Sequence, residues 1–240
     1  MADENSRHHN MPAASNHTLP VHAIEYDGGG LASSSTFTAF HPCSNYGGQN
    51  LLSASGTGCS SEATGKLSGI SGLLFSYAKE LKLSPPLLPG EAQSLFFGTT
   101  DDIDVANSRM PESNYRWSQP GFDQRFGYGR VNANRALEAL RDGKIPPAVD
   151  ITSPTWFTVL YKDQVQGPID IKGTISAKRA NSYDYVVEWA RGVEPTDAQW
   201  TTLRRETRVT APMTDTLAEL DLTDLTVDNP GEIENGFTIT

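Results

Sequence analysis

Residues 56–74 read Gly56-Thr57-Gly58-Cys59-Ser60-Ser61-Glu62-Ala63-Thr64-Gly65-Lys66-Leu67-Ser68-Gly69-Ile70-Ser71-Gly72-Leu73-Leu74. A glycine- and serine-rich turn runs straight into a long apolar helix. Gly65, Gly69 and Gly72 fall on one face of it. Each interior glycine costs a helix about 1 kcal/mol against alanine. Three of them predict close backbone packing against a neighbouring element. Leu67, Ile70, Leu74 and Tyr77 recur at helical spacing on the opposite face, which predicts burial on several sides. A serine at the mouth of this helix sits where the macrodipole and free N–H groups favour negative charge. Ser60 or Ser61 is therefore an N-cap, or a nucleophile whose reaction builds an oxyanion.

The rest of the chain bounds the setting. A length of 240 residues suffices for one large domain or two small ones. Aromatic residues occur throughout, as in a folded chain. The net charge of −10, with pI near 4.9, argues against nucleic-acid binding through a basic face. No apolar run reaches the length of a membrane span. The chain starts with neither a basic segment nor an apolar core of the signal-peptide type. The two cysteines, Cys43 and Cys59, either bridge and pin the loop before Ser61, or are separate small core residues.

Ahead of the helix, apolar residues cluster at 18–24 as in a buried strand, and short strands are expected at 37–40 and 50–54. The helix itself is expected from Glu62 to about Leu81, where Ser84-Pro85-Pro86 stops it. A second helix is expected at 91–97, and a last one at Ala133–Arg141 with Asn132 as its cap and Gly143 as its end. Residues 100–120 read as irregular surface. Within them Asp101, Asp102 and Asp104 offer the oxygen ligands calcium takes, or else form a helix terminus or a solvated acidic turn. The five histidines show no metal spacing and read as surface or loop residues. Ile145-Pro146-Pro147 reads as a linker. After it the pattern changes to period two. Ile169, Ile171, Gly173 and Ile175 alternate with polar residues, as do Tyr183, Tyr185, Val187 and Trp189 with Asp184, Val186 and Glu188. Half-buried strands joined by turns predict a β-sandwich. Trp156, Trp189 and Trp200 form a ligand platform or belong to the core, and the alternation puts Trp189 in the core.

Two segments resemble the subtilisin-like serine proteases. Residues 59–69 are similar to the nucleophile motif G-T-S-x-A-x-P-x-V-A-G, which puts Ser61 in the nucleophile place. Ala63 and Thr64 match the small residues after it, and Leu67-Ser68-Gly69 matches V-A-G. Cys59, Ser60, Gly65 and Lys66 stand where the motif has glycine, threonine, proline and, usually, histidine. Phe126-Gly127-Tyr128-Gly129-Arg130-Val131-Asn132-Ala133 resembles the G-Y-G-x-V-N-A stretch that closes such catalytic domains. Ser44-Asn45-Tyr46-Gly47 and Met11-Pro12-Ala13 also match shorter family segments. Asp3 falls at the family's oxyanion asparagine, where an ionised carboxylate would repel the developing charge and a protonated one would donate to it.

The resemblance covers roughly residues 1–142. It implies an α/β fold, with residues 1–144 as the C-terminal part of a three-layer catalytic domain whose parallel sheet carries a buried nucleophile helix. An all-β sandwich follows at 150–240. It further implies a serine endopeptidase acting on protein or peptide substrates outside the cell or in its envelope. No cofactor is evident apart from the calcium just considered. The family's aspartate and histidine motifs, D-S/T-G and H-G-T, do not occur before Ser61. The expectation is a segment that carries the nucleophile without its base, inactive by itself. The alternative is a non-catalytic binding or structural protein on a degenerate protease scaffold.

Overall fold

The computed structural model describes residues 11, 13, 15, 17–26, 37–104, 118–156, 158–161, 164–193, 195–222 and 236–240. They form a mixed α and β structure with three helices and three small sheets. Its contacts divide the chain into two units. One holds residues 1–87 and 92–145, the other 88–91 and 146–240.

In the first unit β1 (Val21–Glu25) is the middle strand of a sheet. It pairs antiparallel with β2 (Ala39–Phe40) and parallel with β3 (Leu52–Ser55), Val21 facing Leu52 and Ile24 facing Ser55. Beyond β3 the sheet continues through residues 128–131. Tyr128 N–H donates to Leu51 O at 2.8 Å, and Val131 N–H to Ser53 O at 2.9 Å. The glycines of the Gly127-Tyr128-Gly129 stretch allow this close approach, with φ of +66° at Gly127 and +118° at Gly129. Tyr128 stacks on Phe97 at 4.5 Å between ring centroids.

The unit also holds α1 (Cys59–Glu80), α2 (Pro89–Thr99) from Ala92 onward, and α3 (Ala133–Arg141). Leu52, Leu67, Leu74, Leu95, Phe96 and Leu140 form its main core. The α3 helix matches expectation at both ends: the Asn132 side chain accepts from Arg135 N–H at 3.0 Å, and Gly143 has φ of +70°.

Helix α1 departs from expectation twice. It begins at Cys59, three residues early, with Gly58 as N-cap and no serine hydroxyl capping it. Its glycine face meets no neighbour among the described residues: a Cβ built on Gly65, Gly69 or Gly72 finds nothing within 4 Å. Leu73 and Phe75 are 51% and 38% exposed. The face bearing Leu67 and Leu74 is buried, so α1 has one covered side among the described residues and not several.

The second unit consists of two antiparallel sheets. One orders β4 (Ala148–Ser153), β5 (Ile169–Ser176) and β8 (Met213–Leu220) as β4-β5-β8. The other orders β6 (Tyr183–Arg191), β7 (Thr201–Val209) and β9 (Phe237–Ile239) as β7-β6-β9. Ile171, Ile175, Leu217 and Leu220 from the first sheet and Val187 from the second share one core, with Trp189, Phe237 and Ile239 packed against it. Period-two alternation gives β5 its inward face. In β6 a register shift between Val187 and Glu188 breaks the alternation, and Ala190 is buried beyond it. Trp156 is exposed, away from the core position that Trp189 takes.

Candidate active site

The end of β3 delivers the chain to Gly56, where the backbone packs closely. A Cβ there would stand 2.9 Å from Cys59 O and 3.2 Å from Ala63 N. The first turn of α1 is thereby seated on the sheet, and Ala63 packs against Ala23 and Ala54 in a small alanine cluster. Helical phase then separates the two serines. Ser60 lies on the stripe of Ala63 and Leu67 and is only 7% exposed, with its Oγ buried and without a hydrogen-bond partner. Ser61, one position and about 100° further round, is exposed.

Two N–H groups of the turn that enters the helix are occupied. Glu62 folds back so that its Oε2 accepts from Thr57 N–H at 2.8 Å, Gly58 N–H at 2.9 Å and Thr57 Oγ1–H at 3.1 Å. Lys66 Nζ, one turn on, sits 2.6 Å from Glu62 Oε1 and 3.2 Å from Ser55 Oγ. The Lys66 ammonium, followed by the N–H groups of Gly58 and Thr57 and the Thr57 hydroxyl, pulls the Glu62 carboxyl down to a pKa of about 2. The Glu62 carboxylate thus braces the turn before the helix, while no side chain caps the helix itself. It also places a fixed negative charge next to Ser61.

One of the described histidines, His22, is neither a surface nor a loop residue, contrary to the sequence reading. His22 on β1 is fully enclosed, with ring centroids 5.6 Å from Phe40 and 6.0 Å from Phe126. Its Nε2 lies 2.9 Å from Ser53 Oγ, which in turn donates to Phe126 O at 2.7 Å. Nε2 is therefore the donor, and Nδ1 is left without a partner. Burial, with the nearby Arg125 charge second, lowers its pKa to about 3, so the ring is neutral. His41 is half-buried and holds Glu25 Oε1 at 3.0 Å through Nε2. His17 is exposed. His8, His9 and the suggested oxyanion residue Asp3 lie outside the described residues.

Cys43 and Cys59 form a disulfide that ties the segment after β2 to the first residue of α1. Of the two readings of these cysteines, the bridge holds. The three aspartates considered for calcium are not gathered around a common point among the described residues. Asp101 instead contacts Arg130 at 3.1 Å, Arg135 at 3.2 Å and Asn132 Nδ2 at 3.0 Å. Burial pushes its pKa up, and hydrogen bonds from Asn132 and Arg130 with the Arg130 and Arg135 charges outweigh that and lower it. Asp102 accepts from Gly121 N–H at 2.8 Å.

The structure thus separates Ser61 from Ser60 and adds Glu62 and Lys66 to the site. Their i, i+4 spacing is visible in the sequence and is the signal that could have found the pair. No protein-family model matches the chain, and no curated protein matches it. No helix among the described residues is long and apolar enough to cross a membrane.

Proposed function

We propose that this chain is the nucleophile-bearing part of a subtilisin-like serine endopeptidase with a β-sandwich appended, acting on protein or peptide substrates in an extracellular or envelope setting. The observation that carries the reading is the exposure of Ser61 in the first turn of α1, entered from a parallel strand, while Ser60 turns inward. The disulfide accords with an oxidising compartment. In this reading Ser61 Oγ attacks a peptide carbonyl once a histidine, oriented by a carboxylate, takes its proton. Neither partner is supplied by His22 or His41, whose described hydrogen bonds go to Ser53, Glu25 and Cys43. An upstream segment bearing the aspartate and histidine motifs supplies them. The open glycine face of α1, flanked by exposed Leu73 and Phe75, supports a helix suited to close packing against such a segment.

One observation favours a second reading, a non-catalytic binding or structural scaffold. Glu62 holds the Thr57 and Gly58 N–H groups, and its charge opposes an oxyanion beside Ser61. A fluorophosphonate probe separates the readings. The chain alone is expected to stay unlabelled. The product of a reading frame extended upstream through D-S/T-G and H-G-T motifs is expected to label on Ser61, and Ser61→Ala to abolish it. Labelling of Ser61 in the chain alone would refute the need for an upstream base. An upstream frame without those motifs, or an unlabelled extended product, favours the scaffold.

A further inference from the structure

Two side chains of the first unit are arrayed beside the disulfide between Cys43, just after β2, and Cys59, at the start of α1: His41, also just after β2, touches Cys43, and Glu25 at the end of β1 holds His41. His41 Nδ1 lies 2.7 Å from Cys43 Sγ and accepts the Cys43 N–H at 3.1 Å. Its Nε2–H donates to Glu25 Oε1 at 3.0 Å. The carboxylate therefore fixes the tautomer, leaving Nδ1 unprotonated and in contact with Cys43 Sγ. A ring nitrogen of His41 and the two sulfurs all lie within 4.8 Å of one another. An unprotonated ring nitrogen beside two sulfurs, with a carboxylate on the other nitrogen, is the arrangement that metal-binding histidines adopt.

We propose that reduction of Cys43–Cys59 converts this group into a zinc site. The ligands are the two thiolates and His41 Nδ1, Glu25 orients the imidazole from behind, and water takes the fourth position. Two sulfurs and an imidazole suit zinc, which binds them at about 2.3 and 2.0–2.1 Å in a tetrahedron. That places the sulfurs about 3.7 Å apart, within reach of Cα atoms 5.7 Å apart. Nδ1 exchanges its contact with the Cys43 N–H for the metal. A dithiol reductant supplies two electrons and two protons, the S–S bond breaks, and the reductant leaves as its own disulfide. Each thiol then releases its proton to solvent as its Zn–S bond forms. The oxidised chain has no thiolate to offer. The ligands are half-buried, with the His41 and Glu25 side chains 12% and 40% exposed, so a small reductant and an ion can reach them.

The test uses the full chain, reduced with a dithiol, freed of it under nitrogen, and titrated with Co²⁺. The reduced chain is expected to bind one equivalent, with thiolate-to-cobalt charge transfer and the visible bands of tetrahedral cobalt, and zinc to displace it. The oxidised chain is expected to show neither. His41→Ala is expected to weaken binding at least tenfold, and Glu25→Gln about tenfold. Zinc is also expected to raise the melting temperature of the reduced chain and leave that of the oxidised chain unchanged, a readout that does not depend on any variant folding. Absence of charge transfer in the reduced chain, equal binding by the oxidised chain, or undiminished affinity in His41→Ala would overturn the proposal.

Discussion

Gly127→Ala is expected to destabilise the first unit by about 3–5 kcal/mol, combining the cost of overpacking with that of a left-handed backbone in a residue that has a Cβ. Gly127 holds φ of +66°, and its Cβ would run into the Leu51 carbonyl group and stand 2.8 Å from Asn50 O. The obstacles are backbone atoms of the segment that leads into β3, so no side-chain rotation relieves them. A loss of that size is a large share of the 5–15 kcal/mol that typically holds a domain together. Urea unfolding checks it, and Gly69→Ala is the control. There the added methyl meets open space within a helix, and a gain of about 0.5–1 kcal/mol is expected. A Gly127→Ala midpoint within error of the parent would contradict the account.

The second large effect is acid sensitivity from His22. Its imidazole titrates near 6.5 in the unfolded chain and near 3 in the folded one. Between those values the unfolded state binds the extra proton, so stability rises with pH and falls as the solution is acidified. Each pH unit well inside the window contributes about 1.4 kcal/mol, and the whole window on the order of 4–5 kcal/mol. Glu62 adds sensitivity lower down. Its depressed pKa contributes stability above its unfolded value of 4.5 that is lost as pH falls toward 2. Urea midpoints between pH 7 and 5 isolate the histidine, because most carboxylates stay ionised there. His22→Gln is expected to flatten the slope in that interval, even if it lowers the midpoint by disturbing the Ser53 contact. An unchanged slope would show that the acid sensitivity arises elsewhere.

Local signals were legible where one residue type settles one conformation. Asn132 and Gly143 bound α3 to the residue because an amide cap and a left-handed glycine act within a turn. The alternation of Ile169, Ile171 and Ile175 named the inward face of β5 for the same reason. At α1 the capping signal misleads. Serines at 60 and 61 suggested a hydroxyl cap, but the helix starts at Cys59 without a side-chain cap, and Glu62 holds the Thr57 and Gly58 N–H groups of the turn before it. Glycine spacing gave the geometry of a face without saying whether anything covers it. Long-range partners were invisible. Ser53 lies 31 residues from His22, and only the parallel register of β1 and β3 sets them side by side. Glu25 and His41 meet because β1 and β2 pair antiparallel, which two-residue strands scarcely announce.

The uncovered side of α1 also has a consequence for motion. Amides at Gly65, Gly69 and Gly72 have no side chain of their own shielding them and face open space, while those of Leu67, Leu74 and Ala78 lie over the core. Small local openings expose the first group, and deuterium reaches the second only through larger ones. Hydrogen exchange along the helix is therefore expected to alternate with its turn, fast on the glycine side and slow on the leucine side. Such a helix breathes on one flank while the other keeps it in place.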